Sequence, residues 1–141
     1  MTIGKKSRAQ VDKVRAFVFD RDGGQCVAAG VFGFCGGGLT IQHRVGRGMG
    51  GSAQWDTPAH LITLCATHNE LETASADFAE ICRSRGWSIP RWVMDRMSAS
   101  DVPVYYPGRG WYLLSEDGKV DKITRVQAVP VFLALYGEIW S

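Results

Sequence analysis

The sequence predicts an α+β domain stapled by a metal, and three observations carry that expectation. Four soft ligands stand in the first half of the chain: Cys26, Cys35, Cys65 and His68. A tetrahedral zinc site is built from such side chains, because Zn²⁺ accepts Cys sulfur and His nitrogen without a geometric preference of its own. Apolar residues recur at helical spacing on both sides of that segment. Beyond Trp87 the texture changes to short runs punctuated by Pro-Gly and Asp-Gly, which read as antiparallel strands.

Residues 7–21 are predicted helical. Ser7 can cap, and Val11, Val14, Phe17 and Val18 repeat on one face, with Lys13, Arg15 and Arg21 elsewhere. Asp22-Gly23-Gly24 stops the helix by turn chemistry and delivers Cys26 into a loop. From Cys26 to Cys35 the chain is small and apolar, then Gly36-Gly37-Gly38 breaks it: a long knuckle between two candidate ligands. Leu39-Thr40-Ile41 reads as a short strand leading into Gln42 and His43, residues 44–57 as a loop, and 59–64 as a return in extended chain. One helix is expected over about 65–85, with Leu71, Ala74, Phe78, Ile81 and Cys82 on its apolar face and Gly86 after it. At its start, Cys65 and His68 stand three apart and so share a face, which suits joint coordination. Residues 102–106, 110–114 and 119–123 read as strands joined at Pro107-Gly108 and Glu116-Asp117-Gly118. Residues 129–140 read as an apolar helix with Pro130 near its first turn. The expected organisation is a core over residues 1–90 and a β-rich extension over 91–141, packed on it with its apolar tail.

At 141 residues, 45% hydrophobic and 21% charged, the chain can bury a core of its own. A net charge of only +2 will not hold nucleic acid by its overall field, so any electrostatic footprint must be local. Such a bias exists. Lys5, Lys6, Arg8, Lys13, Arg15 and Arg21 crowd the N-terminus, Arg44 and Arg47 follow, and Glu70, Glu72, Asp77 and Glu80 make the next segment acidic. The opening Met-Thr-Ile-Gly-Lys-Lys has no apolar run behind it and no stretch approaches a membrane span, so a cytoplasmic protein without a membrane partner is expected. In that compartment the four cysteines are expected as ligands or free thiols rather than disulfides, with Cys82 in the core. The eight residues between Cys26 and Cys35 exceed the usual two to four of a zinc pair. Spacing alone therefore leaves core cysteines and a surface histidine as an equal reading.

His43 is the candidate for chemistry. Arg44 and Arg47 stand beside it, followed by Gly48, Gly50 and Gly51. Glycines allow close approach of backbone to a phosphate chain, and arginines pair with phosphate in a bidentate way. A neutral imidazole is the natural general base near neutral pH. Phosphodiester hydrolysis needs an activated water and a divalent cation, whose oxygen ligands could come from Gln42 and Asn69. Trp87, Trp92, Tyr105, Tyr106 and Trp111 could stack on bases but read mainly as core and sheet residues. Asp56 and Asp77 lack a partner histidine at a usable spacing.

The run Gln42-His43-Arg44-Val45-Gly46-Arg47-Gly48-Met49-Gly50-Gly51, followed by Pro58-Ala59-His60-Leu61-Ile62-Thr63-Leu64-Cys65-Ala66-Thr67-His68-Asn69, resembles the HNH endonucleases of bacteriophages, most nearly those of phages infecting actinobacteria. The likeness spans about residues 14–90 and continues more loosely through Gly110–Leu114 and Glu116-Asp117-Gly118. It implies a ββα-metal (His-Me finger) core with a structural zinc knuckle, in which Cys26, Cys35, Cys65 and His68 hold Zn²⁺. It implies metal-dependent hydrolysis of DNA, with His43 as general base and His60 bracing the loop or adding a ligand. Gln42 and Asn69 would hold Mg²⁺ or another divalent ion, and Arg44 and Arg47 the phosphates; other phage proteins are further expected partners. The chain departs from the family at several places. His60 stands where asparagine is usual, His68 where the second cysteine of Cys-x2-Cys is usual, and Asn69 where a histidine ligand is usual. Relatives with asparagine at that last position, the CRISPR effector HNH domain and phage resolvases among them, have an aspartate next to the base. Here that residue is the neutral Gln42. A catalytically degenerate, zinc-stabilised module that binds DNA or a phage protein is the alternative these departures leave.

Overall fold

The computed structural model describes residues 7–46 and 56–137. Arg47, with the glycines at 48, 50 and 51 and the lysines at 5 and 6, lies outside the described residues. In chain order the elements are α1 (Arg8–Arg21), β1 (Leu39–His43), β2 (Leu61–Cys65), α2 (Ala66–Ala74), α3 (Ala76–Ser84), β3 (Val104–Tyr106), β4 (Gly110–Leu114), β5 (Val120–Ile123) and α4 (Arg125–Tyr136). Among the described residues no helix is long and apolar enough to cross a membrane.

Ser7 starts α1 through a capping box: its hydroxyl accepts from the Gln10 N–H while the Gln10 side chain accepts from the Ser7 N–H. Gly23 and Gly24, at φ 83° and 69°, turn the chain away after it. Strands β1 and β2 pair antiparallel from Leu39↔Cys65 to His43↔Leu61. Side chains alternate across a strand, so Thr40 and Gln42 share one face with Ile62 and Leu64, and Ile41 and His43 share the other with Leu61. The first face is turned to the core, where Ile62 and Leu64 meet Phe78, Cys82 and Trp87. The second is covered by α1, whose Val11, Val14 and Arg15 lie beside Ile41, His43 and Leu61.

The single helix expected over 65–85 is two. Ser75 adopts extended dihedrals (φ −121°, ψ 116°), ends α2, and caps α3 by accepting from the Phe78 N–H at 3.2 Å. A serine hydroxyl competes with the helical backbone for hydrogen bonds, which makes it a natural breaking point. Strands β3, β4 and β5 form a three-stranded antiparallel sheet in that order. Helix α4 begins earlier than expected because Thr124 and Gln127 make a second capping box, so Pro130 falls inside the helix rather than in its first turn.

Two apolar clusters hold these parts together, and both draw on the segments either side of residue 90. Val104, Tyr106 and Leu114 complete the cluster around Ile62, Phe78 and Trp87. Val45 and Ile89 join Val93, Val102, Trp111 and Phe132 in the second. Trp87, Tyr106 and Trp111 are buried, and the Trp87 Nε1–H donates to the Tyr105 carbonyl at 2.8 Å. Asp22 is a buried joint between α1, β2 and β3. Its carboxylate accepts from the Arg21 guanidinium, from the Thr63 N–H at 2.8 Å and from the Tyr106 hydroxyl at 2.6 Å.

Arg44 corrects an expectation. The sequence places it among the phosphate ligands, yet it is only 1% exposed. Its guanidinium donates to the carbonyls of Gly86 (2.7 Å), Ala59 (2.7 Å), Ala99 (3.1 Å) and Val102 (2.8 Å). Burial pushes its pKa down from the ordinary 12.5, while the carbonyl dipoles favour the cation. Arg44 is a clamp between the hairpin and the chain beyond α3, with no donor directed to a phosphate.

Candidate functional site

The metal-ligand set comes together at the base of the hairpin. Cys65 is the last residue of β2 and the N-cap of α2, and its sulfur accepts from the His68 N–H at 3.4 Å. The knuckle between Gly23 and Gly38 has no helix or strand of its own and is tied to this junction by backbone bonds. Val27 N–H donates to the Thr63 carbonyl, Ala66 N–H to Gly38 and Thr67 N–H to Gly36, at 3.0, 2.9 and 3.1 Å. Gly37 has φ +79°, and a Cβ there would lie 2.7 Å from the Cβ of Ala66, so only glycine lets the knuckle close on α2.

Cys26, Cys35, Cys65 and His68 present ligand atoms that all lie within 4.8 Å of one another, and they could hold a metal ion such as zinc. His68 Nδ1 stands 3.1 Å from the sulfur of Cys65, 3.4 Å from that of Cys26 and 3.6 Å from that of Cys35. Tetrahedral bonds at zinc distances put sulfur and nitrogen roughly 3.5 Å apart, so the spacing fits. His68 Nε2–H donates to the Phe32 carbonyl, which fixes the tautomer and leaves the Nδ1 lone pair facing the three sulfurs. Burial pushes the Cys26 thiol up to about 12 and raises that of Cys35. Burial raises Cys65 too, but hydrogen bonds from the backbone at His68 and Gly36 outweigh it and hold the thiol below its ordinary 9. Cys65 is the ligand most ready to ionise. All four cysteines are free thiols, and Cys82 is buried in the core.

At the far end of β1, His43 Nε2 lies 2.7 Å from Asp56 Oδ1, with the two side chains 22% and 23% exposed. This corrects the expectation that Asp56 lacks a partner histidine: His43 is thirteen residues away in the chain, across a loop, and adjacent in the fold. The signal available was its place just before Thr57-Pro58, where the chain re-enters the hairpin opposite the end of β1. His43, Asp56 and Arg15 share a cavity of about 220 Å³ with Val11, Val14, Ile41 and Leu61. Arg15 makes no hydrogen bond or ion pair among the described residues.

His60 sits in the turn that leads into β2. Its Nδ1 is 2.8 Å from the Thr57 hydroxyl, and its carbonyl accepts from the Arg44 N–H at 2.7 Å. Burial, followed by the charges of Arg44 and His43, pushes its pKa down to about 4 from 6.5. Between those values the unfolded chain binds the extra proton, so the penalty is absent above pH 6.5 and grows as pH falls towards 4. At pH 5 it amounts to about 2 kcal/mol. The prediction is that His60→Asn shrinks the stability loss between pH 7 and pH 5 by about that amount, read from urea midpoints at the two pH values. An unchanged pH dependence would remove His60 as its source.

Gln42 and Asn69, the expected divalent-ion ligands, occupy a different place from His43. Gln42 is 8% exposed and shares the strand face of Thr40. Asn69 Nδ2 donates to the Thr40 hydroxyl at 2.8 Å. His43 projects from the opposite face, towards α1. The cluster of Cys26, Cys35, Cys65 and His68 is the only group of three or more His, Cys, Asp or Glu side chains set to share an ion among the described residues. Two neutral amides do not make the anionic oxygen shell that a hard divalent cation needs. The Gln42–Asn69 pair therefore does not fit that ion by itself.

Compared with protein-family models, curated proteins and solved structures, the chain matched none.

Proposed function

We propose that this chain is a zinc-stapled endonuclease that hydrolyses DNA phosphodiester bonds, with His43 as general base. The observation that carries the reading is the His43–Asp56 pair at 2.7 Å on the wall of a cavity that also holds Arg15. A carboxylate can only accept, so in a neutral imidazole Nε2 bears the proton and Nδ1 keeps a lone pair for a water. Asp56 orients the ring and stabilises the imidazolium that forms when that proton is taken. Arg15 provides a cation for the phosphate, the role for which Arg44 is too deeply buried. The local similarity to HNH endonucleases supplies the reaction class, and the Cys₃His set supplies the rigidity on which His43 stands.

The test is plasmid cleavage by purified protein in Mg²⁺, Mn²⁺ or Ni²⁺ against His43→Ala and Asp56→Asn. General-base catalysis contributes about 10²–10⁴-fold, and His43→Ala should lose a rate in that range. Asp56→Asn, which keeps the shape but accepts a weaker bond, should lose less. Equal cleavage by the parent and His43→Ala sinks the proposal.

A second reading is favoured by Gln42, a neutral and buried residue where HNH relatives with asparagine at the last position have aspartate. It is a non-catalytic zinc module that binds DNA or a phage protein. That reading predicts salt-sensitive DNA binding with no cleavage by any variant.

A further inference from the structure

We infer that the cavity beside His43 receives the sugar and base of an unpaired nucleotide, so that the preferred substrate is locally single-stranded DNA. This deepens the phosphodiester reading above and rests on it. The cavity lies between α1 and the hairpin, and its roughly 220 Å³ are bounded by two kinds of surface. Val11, Val14, Ile41 and Leu61 are aliphatic, and Val11 and Val14 are half-buried on the α1 side. Arg15 follows Val14 on the same helix, lines the cavity and is exposed, so its guanidinium is open to an incoming anion. His43 and its partner Asp56 complete the polar edge.

A phosphate alone does not account for such a space. It belongs against Arg15 and the His43 imidazole, whereas four aliphatic side chains offer an anion no partner and would strip its water. The flat face of a base and the carbon skeleton of deoxyribose are the parts of a nucleotide that aliphatic surface accepts. Attached to a phosphate at the rim, they would enter the cavity while that phosphate faces Arg15. A paired base cannot do this, because it is held in the stack of its duplex, and extruding it costs unstacking and unpairing. Unpaired DNA has no such cost. Asp56 is the one anion on the wall among the described residues, and its hydrogen bond to His43 engages it away from an incoming phosphate. An apolar side chain of a protein partner would fill the same floor but would leave Arg15 without a role.

The experiment uses the full zinc-loaded chain without added divalent ions, and reads fluorescence anisotropy with a labelled single-stranded oligonucleotide and its duplex. Burying about 55 Å² of the apolar surface of a base and sugar on this aliphatic floor changes affinity by about tenfold. Single strands should therefore bind at least about tenfold tighter than duplex by that measure. Val14→Trp, which fills the floor, should cost single-strand affinity about tenfold and leave duplex affinity unchanged. Equal or tighter binding of duplex, or a Val14→Trp variant with unchanged single-strand affinity, overturns the inference. Should that variant melt early, thymidine 3′-phosphate and inorganic phosphate are titrated into the parent instead. Both should shift the His43 ring resonances, and only the nucleotide should shift the Val14 methyls; still Val14 methyls overturn the inference. The outcomes separate the two proposals. Single-strand preference with no cleavage sinks the nuclease reading alone, and cleavage of duplex with no effect of Val14→Trp sinks this inference alone.

Discussion

Chelating the metal, or replacing Cys65 by serine, is expected to unfold the hairpin and its knuckle together. Structural zinc contributes about 10–16 kcal/mol of apparent folding free energy in small domains, more than the whole net stability of most. The knuckle has little to replace it. Between Gly23 and Gly38 it has no regular secondary structure, and Gly36, Gly37 and Gly38 give that stretch large backbone entropy to lose. Cys65 is expected to be the most damaging single position, because the residue ends β2 while its sulfur caps α2 and is one of the four candidate ligands. Elemental analysis should find about one zinc per chain, as a single Cys₃His set requires. His68→Cys should retain the metal, since it completes an all-cysteine site of a kind zinc accepts. Chelated protein that keeps its melting temperature and near-ultraviolet spectrum would reject a structural zinc.

Arg44→Met should cost about 3–5 kcal/mol. The side chain sends donors to four carbonyls, those of Ala59, Gly86, Ala99 and Val102. Methionine fills much of the volume but takes the donor from the carbonyls of Ala59, Gly86 and Val102, while that of Ala99 keeps the Val102 N–H, and each unsatisfied group is costly. Arg44→Lys should also destabilise, because a point-like ammonium cannot reach carbonyls spread around a planar fork. Urea unfolding of the zinc-loaded variants gives the measurement. A phosphate-binding Arg44 would show the reverse pattern: normal stability, weaker DNA binding and a shallower salt dependence. That pattern would restore the role the sequence suggested.

The contrast between these residues shows what was legible and what was not. Cysteine and histidine three apart at a helix start, with glycines ahead of them, suggest a metal site through residue type, but the long gap between Cys26 and Cys35 left that reading even until the fold gathered the four side chains. The α1 cap, the hairpin strands and the three C-terminal strands were legible for the same reason: capping, alternation and turn chemistry act over a few residues. Ser75 marks the limit of that reading. The apolar spacing of Leu71, Phe78 and Cys82 suits one helix, and a single side-chain hydrogen bond breaks it in two.

Arg44 and Asp56 lay beyond the limit. An arginine after a histidine and before a glycine-rich loop has the chemistry of a phosphate ligand, and nothing local says otherwise. Its burial is decided by carbonyls at residues 59, 86, 99 and 102, which only the folded chain gathers around it. Asp56 gains His43 the same way, because the antiparallel pairing of β1 with β2 brings the return of the chain back to the strand end. The sequence by itself determined the candidate ligands, most of the element order and the candidate base, since these depend on residue type, near neighbours and a local resemblance. The tertiary structure alone decided which arginine is structural, which carboxylate orients His43 and which face Gln42 shares. Those depend on distances between segments far apart in the chain, and such distances are set by packing.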